Sequence, residues 1–86
     1  MTEVTLYRRR HCDLCDDALF ALRELNGEHR FTIVERDIDG DSELRARYDE
    51  VVPVIAIGDI EVARAPIDRA ELRHSIESAL DGEGHV

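Results

Sequence analysis

Val4-Thr5-Leu6-Tyr7-Arg8-Arg9-Arg10-His11-Cys12-Asp13-Leu14-Cys15 is the stretch on which the fold turns. Val4 and Leu6 alternate with Thr5 and Tyr7, so Glu3 to Tyr7 read as a short strand. Arg8 to His11 form a basic connection. A helical pattern runs from Asp13 to Leu25, with Leu14, Ala18, Leu22 and Leu25 on one stripe flanked by Cys15 and Leu19. Cys12 falls at the joint between strand and helix. In an open α/β sheet, functional groups collect at the carboxyl ends of strands, which is where this joint lies.

The rest of the chain extends this beginning. Asn26-Gly27 is expected to stop the first helix. Phe31 to Ile38 read as a second strand, and Asp39-Gly40-Asp41 as a turn. Ser42 to Tyr48 make a short helix with Leu44 and Tyr48 on one face and Asp41 as N-cap. Val51-Val52-Pro53-Val54-Ile55-Ala56-Ile57 is the most apolar run and reads as a buried strand opening near the proline. Gly58-Asp59 is a hairpin turn, and Ile60 to Ala63 return beside it. Pro66 ends that strand. Asp68 with Glu71 forms a capping box, with Ile67 and Leu72 as its hydrophobic staple. Leu72, Ile76, Ala79 and Leu80 are the expected buried face of the last helix. Gly82 is expected to end it, leaving 83–86 frayed.

The order β-α-β-α-β-β-α predicts an α/β fold. The first crossover is parallel and right-handed, so the expected sheet is four-stranded and mixed, with helices on both faces. Eighty-six residues make one domain, residues 1–82.

The formal net charge is −9, and all 11 basic residues are arginine. That balance argues against nucleic acid or an anionic membrane as partner. No apolar run reaches the roughly 18 residues of a membrane span, and no signal-peptide pattern opens the chain. A cytoplasmic monomer is expected.

Cys12 and Cys15 are the only cysteines. The loop between them is too small for a structural staple, since a cross-link stabilises through the loop it closes. Near a βαβ pattern, such a pair reads as a redox motif. Amide N–H groups at a helix start favour a thiolate, and Arg8, Arg9 and Arg10 add positive potential. Asp13, Asp16 and Asp17 oppose it. The Cys12 thiol is expected to titrate below the free value of about 8.5. Cys15, one turn on and on the more buried side, is placed to resolve a mixed disulfide on Cys12. A proline opening a buried strand, as at Val52-Pro53, invites a cis peptide. Two cysteines and His11 do not close a tetrahedral metal site within one chain, so no metal or other cofactor is expected.

In these features the chain resembles the thioredoxin superfamily, and within it the glutaredoxin-like proteins. The carriers are Leu6-Tyr7, Arg9, Cys12 with Cys15, Val52-Pro53, and Pro66-Ile67-Asp68 before the last helix. The resemblance spans Val4 to about Leu80. It implies a thioredoxin-like fold and a cis Pro53 facing the cysteines. It also implies that the Val52 backbone pairs with an extended substrate, and that Arg9 holds a substrate carboxylate or tunes the thiolate. Glutaredoxins usually carry Pro-Tyr between the cysteines, where this chain has Asp13-Leu14. They usually carry paired glycines where this chain has Ala63-Arg64-Ala65-Pro66-Ile67-Asp68. The resemblance therefore carries disulfide chemistry further than it carries glutathione as partner.

The expected activity is reduction of protein disulfides or low-molecular-weight thiol mixed disulfides. Cys12 and Cys15 are the reacting residues, and Arg9, Val52 and Pro53 the substrate contacts. The rival expectation is a non-catalytic binding or assembly module of the same fold, carrying a metal or iron–sulfur cluster as a dimer.

Overall fold

A computed structural model of the chain describes residues 2–84, the last three of these by backbone alone. The elements are β1 (Glu3–Arg8), α1 (Asp13–Glu28), β2 (Thr32–Asp37), a 3₁₀ turn (Ile38–Gly40), α2 (Ser42–Tyr48), β3 (Val54–Ile57), β4 (Ile60–Arg64) and α3 (Arg69–Gly84). The strands form a single sheet in the order β2-β1-β3-β4. β1 pairs parallel with β2 and antiparallel with β3, and β3 pairs antiparallel with β4. This is the expected mixed four-stranded α/β architecture.

The pleat of the strands divides the core in two. Val4 and Leu6 of β1 and Ile55 of β3 point to one face, where they meet Ala18, Ala21, Leu22 and Leu25 of α1 and Leu72 and Ile76 of α3. Tyr7 and Val54 point to the other, where they meet Leu44 and Tyr48 of α2 and Ile38. Successive strand side chains alternate faces, so β1 and β3 serve both layers at once. Tyr7 and Tyr48 close the second layer, their ring centroids 4.8 Å apart.

Local signals account for most boundaries. The Asp41 carboxylate accepts the amide N–H groups of Glu43 (2.9 Å) and Leu44 (3.2 Å) at the start of α2. The Asp68 carboxylate accepts from the Glu71 N–H (3.0 Å) at the start of α3, and Ile67 and Leu72 join the same core cluster. Gly58 turns β3 into β4 at φ +61°, a conformation glycine adopts without steric cost.

Three expectations are corrected. Asn26-Gly27 does not stop α1, which continues to Glu28. Gly27 keeps a helical backbone, and Asn26 Oδ1 accepts the Phe31 N–H (3.2 Å), tying the end of the helix to the chain that follows. Gly82 likewise stays inside α3, whose described end is Gly84. An exposed helical glycine costs about 1 kcal/mol relative to alanine, which burial elsewhere on the helix offsets. Of the tail expected to fray, His85 and Val86 lie outside the described residues. Finally, Leu14 is 60% exposed and is not part of the core. It faces the gap between α1 and the β4–α3 connection, whereas Cys15, in the same first turn, is buried.

Candidate active site

Three segments meet at one end of the sheet. The strand registers set Tyr7 of β1 level with Val54 of β3, and Val54 level with Arg64 of β4. The residues just beyond those points are Cys12 in the connection after β1, Val52-Pro53 before β3, and Ala65 after β4. The Ala65 N–H holds the last two together, donating to the Pro53 carbonyl (3.0 Å) and the Val51 carbonyl (3.4 Å). The Val52–Pro53 and Ala65–Pro66 peptides are both cis. The second was not foreseen. Val52, between these anchored neighbours, has no backbone hydrogen bond among the described residues.

Cys12 is the N-cap of α1. Its backbone is extended, and its Sγ accepts the Cys15 N–H at 3.1 Å. The Cys12 carbonyl accepts the Asp16 N–H at 3.0 Å. A cap position normally belongs to Ser, Thr, Asp or Asn, whose oxygen satisfies an orphan amide of the first turn. Here a sulfur does so, and that places it at the positive end of the helix dipole. His11 turns the chain into the cap at φ +55°, a left-handed conformation in which histidine is over-represented among non-glycine residues.

Cys12 and Cys15 are joined by a disulfide, their Cα atoms 5.2 Å apart. Their exposures differ. Cys12 is partly accessible, while Cys15 is 0% exposed and packed at the head of the buried stripe of α1. An approaching group therefore reaches Cys12 first.

The flanking arginines are all paired. Arg8 bridges Asp16 (2.7 Å) and Glu35 (3.5 Å), and Arg10 faces Asp37 (3.4 Å). Arg9 donates to the Asp49 carbonyl (3.1 Å), to the Asp49 carboxylate and to Asp39 (3.1 Å). Those hydrogen bonds, Asp49 foremost, raise the Arg9 guanidinium above its ordinary range. The residue read as a substrate contact thus binds the 3₁₀ turn and the end of α2. Sequence spacing gave no signal for these partners, which lie 30 and 40 residues away. By contrast, Asp13 and Asp17 have no ion pair among the described residues.

A groove of about 270 Å³ runs between α1 and the β4–α3 connection. Its walls are Leu14, Ala18, Ala21, Pro53, Ala65 and Ile67, with Asp17 and Arg69 also lining it. Leu14, between the two cysteines, puts one end of it beside the pair. Leu14, an apolar residue between the cysteines that the core leaves exposed, was the available sign of this groove.

Among the described residues, no group of three or more His, Cys, Asp or Glu side chains is placed to hold a metal ion. No helix among them is long and apolar enough to cross a membrane.

A four-stranded mixed sheet carrying a Cys-x-x-Cys pair at the start of its first helix defines a thioredoxin-like protein, and the pair at disulfide distance fits redox activity. Solved structures agree. Protein XcR50 from X. campestris superposes with a TM-score of 0.75 at 31% identity, over 87% of this chain and 96% of that one. Ne2328 from Nitrosomonas europaea gives 0.76 at 26% identity, over 86% and 89%. Thioredoxin 1 from Thermosipho africanus gives 0.70 at 17% identity, over 95% and 98%, a likeness of fold alone. The chain belongs to the family described as Glutaredoxin-like domain (DUF836), whose model matches residues 3–77. No curated protein matches it.

Proposed function

We propose that the chain is a dithiol oxidoreductase that reduces protein disulfides or mixed disulfides of small thiols. The carrying observation is the asymmetry of the pair. Cys12 is partly exposed and its sulfur receives a helix N–H, while Cys15 is buried one turn behind it.

In the reduced protein the Cys12 thiolate attacks one sulfur of a substrate disulfide. A Cys12–substrate bond forms, the substrate S–S bond breaks, and the leaving thiolate takes a proton from solvent. Cys15, as thiolate, then attacks Cys12 Sγ. The Cys12–Cys15 disulfide forms, and the second substrate sulfur leaves and is protonated. The substrate gains two electrons and the protein loses two. An external dithiol or reductase restores the reduced pair, so no bound cofactor is required. The free Val52 backbone groups suit pairing with an extended substrate strand, beside Pro53. Arg9 contacts a substrate carboxylate only by exchanging it for Asp39 or Asp49.

Single-cysteine variants test this. Cys12→Ser should abolish reduction of a disulfide substrate. Cys15→Ser should accumulate a mixed disulfide on Cys12, visible as an added mass that dithiothreitol removes. Unchanged turnover in Cys12→Ser would overturn the assignment. So would a wild-type protein that turns over no disulfide yet purifies with bound metal.

A further inference from the structure

We infer that the substrates this site prefers are protein cysteines flanked by apolar and basic residues, and that it discriminates against acidic thiols such as glutathione. The inference rests on the oxidoreductase reading and specifies what that chemistry acts on.

The first ground is shape and polarity. One end of the groove is at Leu14, beside Cys12, and six of its lining residues, Leu14, Ala18, Ala21, Pro53, Ala65 and Ile67, are apolar, with Asp17 and Arg69 completing it. Leu14 is left 60% exposed there. An apolar side chain near a substrate cysteine would cover that surface and remove it from water. Glutathione has no such side chain to offer.

The second ground is charge. Every arginine of the connection before Cys12 already faces a carboxylate: Arg8 faces Asp16 and Glu35, Arg9 faces Asp39 and Asp49, and Arg10 faces Asp37. At the groove, Arg69 is paired with Glu24 at 3.0 Å and lies over the Phe20 ring at 5.7 Å. Asp17, on the same lining, and Asp13, beside the nucleophile, have no cationic partner among the described residues. The approach to Cys12 therefore presents uncompensated negative charge on a chain of net −9. A lysine or arginine near the substrate cysteine is attracted to it, and a carboxylate is repelled.

The test uses two peptides of equal length. Each carries one cysteine as a mixed disulfide with the same small thiol and a leucine beside it, with lysine flanks in one and glutamate flanks in the other. Glutathione disulfide is the third substrate. Rates with the reduced protein are divided by rates with dithiothreitol, which removes differences intrinsic to each disulfide. The lysine peptide should be reduced about tenfold faster than the glutamate peptide at low salt, and glutathione disulfide slowest. Added salt should narrow the gap, because these charges are exposed. Asp17→Lys should narrow it at constant salt, by about two- to fivefold. Equal normalised rates, or glutathione disulfide as the fastest substrate, would overturn the selectivity and leave the oxidoreductase reading standing. No exchange with any of the three would overturn both.

Discussion

Cys12 stands where a helix would ordinarily place a serine or aspartate, and that substitution of sulfur for oxygen in a cap concentrates the chemistry in one atom. The amide that donates to it belongs to Cys15, so the two cysteines are coupled through backbone as well as through sulfur. Asp16 lies one turn above Cys12, on the side of the helix where residues four apart face each other. Its carboxylate would disfavour a thiolate. Arg8, with a side chain only 16% exposed, holds that carboxylate at 2.7 Å. The pair acts as a counterbalance, and each partner's removal should move the thiol in a predictable direction. Arg8→Gln frees the acid, so Cys12 should titrate higher than in the wild type. Asp16→Asn frees the guanidinium, so it should titrate lower. Each shift is expected to be about half a pKa unit, given the usual weight of exposed pairs. The rate of alkylation against pH, in a Cys15→Ser background, reads both. Shifts of the same sign in the two variants would show that the pair does not set the local potential.

At the scale of elements, the starts of helices were easier to read than their ends. Asp41 and Asp68 announce α2 and α3, because a cap acts through neighbours two and three residues away. Asp41→Ala should destabilise the protein by about 1 kcal/mol, read as a lowered urea midpoint at unchanged slope. No change would mean that water serves the two amides equally well. Helix ends depend instead on what the last turn packs against. Asn26-Gly27 and Gly82 carried the local chemistry of termination, yet both lie inside helices. For the first, the hydrogen bond from the Phe31 N–H to Asn26 Oδ1 shows why: the asparagine serves the following chain from within the helix. Leu14 teaches a related lesson: it shares the first turn with buried Cys15 yet is exposed, because periodicity does not record which flank of the stripe the neighbouring elements leave uncovered.

For the whole molecule, the crossover rule and the hairpin together were enough to expect a mixed four-stranded sheet, but not its strand order, β2-β1-β3-β4. The cysteine pair and Val52-Pro53, both read from the sequence, fall at the same end of the sheet. What stayed hidden were contacts between exposed residues far apart in the chain, which no periodicity records. Helices α1 and α3 lie on the same face, and ion pairs tie them: Arg69 to Glu24 at 3.0 Å and Arg73 to Glu28 at 2.7 Å. Arg73 also reaches Glu77, whose carboxylate meets His29 at 3.0 Å. The hydrogen bond from Arg73, with its charge, holds the Glu28 carboxyl below its ordinary value of 4.5. A carboxylate with a depressed folded value binds fewer protons folded than unfolded. Its stabilisation is therefore complete above the ordinary glutamate range and is lost as pH falls through the lowered folded value. Glu28→Gln removes that linkage. The variant should unfold at lower urea than the wild type at neutral pH, and the two should converge as the pH falls below the ordinary glutamate range. A gap of unchanged size across that range would place the effect in packing of the side chain's stem rather than in its charge.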